Sequence, residues 1–427
     1  MGQDGAGALL HVDARARLRD PGSVPVALFI VGVVASLGAW HVHHPVRRPG
    51  ELAAAVFMLA WLGGELPVHS AALFAALGAV LMACGALNEP LGWVGLGLLL
   101  VSAAGPVASW RQATRTREVL GRAFGEPIAT DLSLWRFVLP IWFSDRAVVR
   151  VANVVRDGER LKADLYRPRT PRGDGPTPLI VYVHGGGWVL AFRRWQGRLL
   201  MRRLVRAGWV AVSIQYRLSP WATWPDHIID VKRALAWARR MAPSWGADPA
   251  RIALSGNSAG GHLATLAALS PDVAEWQPGF EAANTRVQAL VSWYGIYDLV
   301  AAVDPADAGA PHWHGGMRRL WRLLVMKRPW HRAEADYRSA SPANHFGEHA
   351  PPALLIHGAL DTLVPIASAR AFANTCAEEL PKRVTFIEIP GAEHAFDVFT
   401  SRRGAFAVEA AARWLERELD SKAKRPG

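Results

Sequence analysis

A serine hydroxyl becomes a nucleophile when a base takes its proton, and this chain carries a serine, a histidine and an acid at turns suited to that chemistry. Gly256-Asn257-Ser258-Ala259-Gly260-Gly261 lies between a strand-like run ending at Ser255 and a helix-like run starting at Ala259. A tight strand-to-helix turn thrusts the hydroxyl outward, and small neighbours such as Gly256 and Gly260 let the backbone make it. The bland alternative is a glycine-rich turn capped by a serine; the placement between strand and helix favours the chemical reading. His184-Gly185-Gly186-Gly187-Trp188 follows a second apolar run, Leu179 to Val183. Three successive glycines leave backbone N–H groups unshielded and able to stabilise the oxyanion of a tetrahedral acyl intermediate. No Lys-Ser/Thr pair and no G-x-G-x-x-G continuation follows, which disfavours a nucleotide phosphate loop.

The base and its orienting acid are expected in the chain order Ser, Asp or Glu, His. His394 stands in Gly391-Ala392-Glu393-His394-Ala395-Phe396, just past a strand-like run ending at Ile389. Asp361 follows the run Ala353 to His357, so both fall at strand C-terminal ends, where open α/β sheets bind ligands. Asp298, one strand earlier, is the reserve acid. Glu393 and Asp397 are too close to His394 to orient it from a separate loop, and His357 and His262 read as structural. His41, His43 and His44 cluster without a Cys or carboxylate at ligand spacing, a poor metal site; neither a metal nor an organic cofactor is implied.

The elements that must position these residues alternate from Arg146 onward. Val148 to Val154 and Arg160 to Tyr166 flank the turn dipeptide Asp157-Gly158. Leu179 to His184, Val210 to Tyr216, Arg251 to Ser255, Leu290 to Tyr294, Ala353 to His357 and Val384 to Ile389 read as strands. Between and after them 192–207, Ile228 to Met241, Ala259 to Leu269, 366–378 and 403–419 read as helices. This alternation predicts an α/β fold with a doubly wound, mostly parallel sheet over 146–420.

Of 427 residues, 51% are hydrophobic and 20% charged, with a formal net charge of +12 and two cysteines, Cys84 and Cys376. That excludes disorder and a disulfide-stapled module. The apolar excess is local: 24–40, 68–87 and 91–110 carry no charge and have bilayer length, and Leu52 to Gly64 adds a shorter segment. An all-α transmembrane region of about four helices is expected over 23–110. A cytoplasmic tail (1–22) would precede it, and a juxtamembrane linker (111–145) and a basic tail (421–427) complete the chain. Arg15, Arg17 and Arg19 before the first span, and Arg111, Arg115, Arg117 and Arg122 after the last, place both ends in the cytoplasm, with Arg47 and Arg48 a mild violation. If the short segment does not cross, three spans send the catalytic domain outside instead. No basic run is interleaved with stacking aromatics, so the expected partners are membrane lipids and not nucleic acid.

Together the HGGGW loop, the GNSAGG turn, Tyr216-Arg217-Leu218-Ser219-Pro220, the HGxxDxxVP segment and the late GxxHxF resemble the hormone-sensitive-lipase-like (bacterial family IV) esterases of the α/β-hydrolase superfamily. With the apolar N-terminal region, the chain also looks like membrane-associated actinobacterial carboxylesterases. The resemblance covers about residues 146 to 420. It implies Ser258 as nucleophile, His394 as base, Asp361 as orienting acid, and backbone N–H groups of Gly186, Gly187 and Ala259 as the oxyanion hole, with His184, Gly185, Gly256 and Gly260 as supporting motif positions. Family members usually carry Asp where Asn257 stands, and a helical cap where this chain has its membrane region. The insertion 299–344, with Trp313, Trp321 and Trp330, is a candidate cap or membrane-facing surface. The expected activity is hydrolysis of short-chain or lipid carboxylic esters through an acyl-enzyme. Amide hydrolysis, deacetylation or acyl transfer on the same triad is the nearer alternative, and a non-catalytic ligand receptor the more distant one.

Overall fold

The computed structural model describes residues 22–46, 53–130, 138–140, 145–155, 162–170, 175–190, 192–303 and 315–423. The Asp157-Gly158 turn, Arg15, Arg17, Arg19, Arg47, Arg48, Trp313 and the last four residues of the basic tail lie outside them. Among the described residues, five α-helices precede the first strand: α1 (Ser23–His43), α2 (Ala53–Glu65), α3 (Pro67–Ala83), α4 (Pro90–Ser102) and α5 (Ala104–Phe124).

Strands β1 (Val148–Val155), β2 (Lys162–Pro168), β3 (Thr177–Val183), β4 (Val210–Ile214), β5 (Ala247–Asn257), β6 (Ala289–Trp293), β7 (Ala353–Gly358) and β8 (Val384–Ile389) form one sheet in the order β1-β2-β4-β3-β5-β6-β7-β8. The β1–β2 and β2–β4 pairs are antiparallel and all others parallel. Helices α6 (Arg198–Arg206), α7 (Asp226–Met241), α8 (Ala259–Leu269), α9 (Leu299–Val303), α10 (Gly315–Leu320), α11 (Glu334–Ser339), α12 (Ile366–Glu379) and α13 (Arg402–Ala423) complete the domain. This is the doubly wound, mostly parallel architecture expected from the alternation, and it agrees with the α/β-hydrolase fold that the motif resemblance implies.

Side chains of β3 show why the central strands read as continuous apolar runs. Leu179, Val181 and Val183 enter one core with α7 and α8, while Ile180 and Tyr182 enter a second core with α6 and α13. Period-two alternation thus places an apolar side chain in each of two covered layers. Helix α6 begins at Arg198, later than the expected residue 192, because Tyr182 packs against Gly197, where a Cβ would lie 2.3 Å from the ring.

Two features of the N-terminal region go beyond what its composition shows. Among the described residues, only α1 and the continuous stretch Pro90–Phe124 are separately long and apolar enough to cross a membrane; α2 and α3 are bent by 97° and count as at most one further span. The region expected to hold about four helices has α1 to α4 among the described residues, and the short one, α2, ends at Glu65, whose carboxylate is buried against the α/β domain. The stretch read as a linker also begins as helix: α5 buries Ala113, Thr116 and Leu120 and keeps Arg111, Arg115 and Arg122 exposed. Its Leu120 belongs to the second core of the sheet domain. An arginine-studded helix with one buried stripe had the composition of a linker but the period of an amphipathic helix.

Helices α1 and α4 pack through small residues. A Cβ on Gly95 would lie 2.6 Å from the Phe29 nitrogen, and one on Gly32 would lie 2.4 Å from the Gly95 carbonyl oxygen. Ser36 Oγ donates to the Leu98 carbonyl at 2.8 Å, and further on Gly105 lies against Ala39. Contacting positions rise together along both helices, so α1 and the α4–α5 stretch run parallel.

Candidate active site

Ser258 sits between β5 and α8 with φ 54° and ψ −124°, a strained turn held by its N–H donating to the Trp293 carbonyl at 2.9 Å. Gly256 and Gly260 are required by close approach: a Cβ on either would lie 2.2 Å or less from a backbone oxygen. The His394 loop after β8 brings Nε2 to 2.9 Å from Ser258 Oγ, and Nδ1 lies 2.7 Å from Asp361 Oδ2. Asp361 Oδ1 accepts the N–H groups of Leu363 (2.9 Å) and Val364 (2.8 Å). Burial opposes its charge, but the His394 and His357 partners hold the Asp361 carboxyl well below the usual range.

Serine, histidine and acid thus stand in hydrogen-bond sequence although 136 and 33 residues separate the partners along the chain. The BD-FAE family model matches residues 163–376, half of the chain. A probable carboxylic ester hydrolase of Mycobacterium tuberculosis, LipM, is 33% identical over 434 residues, covering 96% of this chain and 95% of its own.

The chain belongs to the hormone-sensitive-lipase-like, bacterial family IV carboxylesterases.

It is a carboxylic ester hydrolase of the α/β-hydrolase superfamily. Esterase LipQ of the same organism is 40% identical over 252 residues, 59% of this chain and 58% of that one. Among solved structures, Thermogutta terrifontis esterase 2 phosphonylated by sarin matches with a TM-score of 0.52 and 25% identity, covering 61% of this chain and 91% of that one.

In this esterase the glycine loop is anchored before it reaches the serine. Gly185 N–H donates to Gln196 Oε1 (2.6 Å) and Asn257 Oδ1 (2.9 Å), and Gly186 and Gly187 follow with φ 114° and 61°. His184 is fully buried, its Nδ1 2.7 Å from the Gly185 carbonyl, and burial lowers its pKa to about 4. Its ring stacks on Tyr216, so its part is to hold the loop. Asp298, the reserve acid, accepts the Ala301 N–H at 3.0 Å and lies outside the hydrogen-bonded trio. His262 is structural as read, bonded to the Ala340 carbonyl at 2.7 Å. The insertion lies over the glycine loop: Leu320 faces Gly187, and Trp321 packs edge-on against Trp188 at 4.1 Å. The histidines near the end of α1 diverge, His41 to the Val56 carbonyl and His43 to the Gly105 carbonyl.

Several site residues escaped the sequence reading. His357 Nε2 lies 3.1 Å from Asp361 Oδ2, a position hidden because it ends a buried strand. Tyr294 places its ring 4.4 Å from that of His394, donates its hydroxyl proton to Asp397, and accepts from Asn257 Nδ2 at 3.0 Å. Asn257 therefore joins the glycine loop to the histidine loop through its two amide ends, which an aspartate cannot do because it has no N–H to donate. From the N-terminal region, Phe57 and Trp61 of α2 reach the same loop.

Glu393 Oε1 accepts the N–H groups of Thr362 (2.6 Å) and His394 (2.9 Å), whereas Oε2 takes no hydrogen bond among the described residues. Burial, and then the charge of Asp361, push its carboxyl up to about 8. A carboxyl raised on folding is protonated in the folded state and ionised in the unfolded state between its two pKa values. Its contribution to stability is therefore complete below the ordinary pKa and lost as pH rises toward about 8. We expect the melting temperature of the full chain in detergent to fall from pH 5 to pH 8, and Glu393→Gln to flatten that decline. An unchanged slope in the variant would place the titration elsewhere.

Proposed function

We propose that this protein is a membrane-anchored serine hydrolase that cleaves carboxylic esters through an acyl-enzyme. The observation that carries the reading is the continuous Ser258–His394–Asp361 chain at 2.9 and 2.7 Å. His394 Nε2 takes the Ser258 proton as Oγ bonds to the ester carbonyl carbon, and Asp361 stabilises the imidazolium that forms. Backbone N–H groups of Gly186, Gly187 and Ala259 stabilise the oxyanion. Collapse of the tetrahedral intermediate breaks the bond to the alkoxy oxygen, which takes the proton from His394 and leaves as alcohol. Water, deprotonated by His394, then attacks the acyl carbon; the carboxylic acid departs and the proton returns to Ser258. A fluorophosphonate probe tests the activated serine: the wild type should label and Ser258→Ala should not. Absence of labelling in the folded wild type would reject the reading. The sarin adduct of Thermogutta terrifontis esterase 2 supports the choice of probe.

Membrane anchoring is supported by α1, the bent α2–α3 pair and the Pro90–Phe124 helix. Because α1 and α4 run parallel, their N-terminal ends share one side of the bilayer, and the bent α2–α3 pair supplies the single return crossing. In this arrangement Arg111, Arg115, Arg117 and Arg122 fall on the catalytic side. The positive-inside rule then makes the catalytic domain cytoplasmic and the N-terminal tail external. Cys84, exposed at the end of α3, is the natural reporter, since Cys376 is buried. A membrane-impermeant maleimide should modify Cys84 in intact cells that protect the catalytic domain from added protease. Modification only after permeabilisation would overturn the assignment.

A further inference from the structure

Helix α2 has two faces that meet different surroundings. One is turned to the histidine loop. Phe57 presents its ring to the His394 imidazole at 6.2 Å between centroids and stacks on Trp61 at 5.5 Å. The Trp61 indole N–H donates to the Ala395 carbonyl at 2.9 Å, and its ring stacks on Phe399 at 4.6 Å. The other face carries Met58, Leu59 and Leu62, of which Leu59 is 64% exposed. Residues 53–64 include no charged side chain, so this face lacks the polar surface of a water-facing lid.

Neighbouring elements fix the level of α2. The end of α1 lies alongside it: a Cβ on Gly63 would come within 2.5 Å of Val42, and His41 Nε2 lies 3.0 Å from the Val56 carbonyl. There α1 and α5 expose Trp40 and Trp110, a residue type that favours the membrane–water interface. A helix with its side chains is about 10 Å across, so a lipid lying against Leu59 is one helix width from the histidine loop. Across the cleft, Leu320 adds apolar surface beside Gly187.

We propose that α2 is the wall between the bilayer and the catalytic cleft, and that the substrate is a membrane-resident ester with a long apolar chain, drawn from the adjoining leaflet past Phe57 to Ser258. This rests on the membrane-anchored serine-hydrolase reading above. The chain passes from lipid to the surface of Phe57 and Leu320 while its ester group reaches the serine, so the apolar part need not cross water.

The test uses the full chain reconstituted in phosphatidylcholine vesicles. 4-Methylumbelliferyl oleate is placed either in the same bilayers as the protein or in separate protein-free vesicles, with 4-methylumbelliferyl acetate in water as the soluble comparison. The initial oleate rate from the shared bilayer should exceed that from separate vesicles by about tenfold or more, since the long chain leaves a bilayer slowly. Phe57→Ala should lower the oleate-to-acetate ratio of kcat/KM by about tenfold, and Phe57→Leu should keep it near the wild-type ratio. Circular dichroism reports that the wild type and each variant are folded. Equal oleate rates from shared and separate vesicles, or a Phe57→Ala loss borne equally by both esters, overturns the proposal. Acetate hydrolysis abolished by Ser258→Ala would leave the hydrolase standing in that case, whereas a folded wild type without labelling or acetate turnover would reject both.

Discussion

Ser258→Ala is expected to lower kcat for a soluble ester by about four to six orders of magnitude, leaving only what binding and the oxyanion donors supply. The size follows from the chemistry removed. Without Oγ there is no acyl-enzyme, and His394 Nε2 loses the partner it holds at 2.9 Å. What survives is attack by water on a carbonyl polarised by backbone N–H groups, which is why the rate does not fall to the solution value. KM should change little, because the hydroxyl contributes to the transition state more than to ground-state binding. The variant keeps the backbone at φ 54°, so its melting temperature should stay near that of the wild type. Initial rates against p-nitrophenyl acetate decide the matter: a variant retaining more than about a tenth of wild-type kcat would remove Ser258 from the mechanism.

Arg403→Ala is expected to destabilise the protein by about 3–5 kcal/mol, because it leaves a buried carboxylate without its counter-charge. Glu65, at the end of α2, and Arg403, at the start of α13, are ion-paired with side chains 0% and 2% exposed. Ser401 Oγ donates to the second Glu65 oxygen at 2.6 Å, and Arg403 also reaches the Gly64 carbonyl at 3.4 Å. Truncating the arginine removes the guanidinium while the carboxylate stays inside with only Ser401 Oγ still donating to it. Adding Glu65→Gln to Arg403→Ala should recover part of the loss, since the neutral amide is less costly to bury. Thermal unfolding of the full chain in detergent measures both; a loss below about 1 kcal/mol for Arg403→Ala would show that the carboxylate finds water or another donor. The same pair ties α2 to the domain beside His394, so the destabilised variant should also hydrolyse long-chain esters poorly.

How much of this was legible varies with how local the cause is. The sheet could be read because each strand is a short apolar run bounded by turn residues, and β3, β5, β6 and β7 are buried on both faces. Ser258, Asp361 and His394 could be picked out because each stands just past a strand, and their order along the chain is set by the topology. Boundaries moved where a side chain from elsewhere intruded, as Tyr182 does at Gly197.

The sequence by itself determined the α/β architecture, the serine, acid and histidine in order, and the concentration of apolar helices before residue 125, because these depend on composition and on periods of two and 3.6. Only the tertiary structure decided that Glu65 pairs with Arg403 across 338 residues, that Asn257 and Tyr294 join two site loops, that α1 and α4 run parallel, and that α2 lies against the histidine loop instead of standing as an independent span. Buried charges and amides take whichever partner folding brings within hydrogen-bond distance, and no local pattern records a partner that arrives from the far end of the chain.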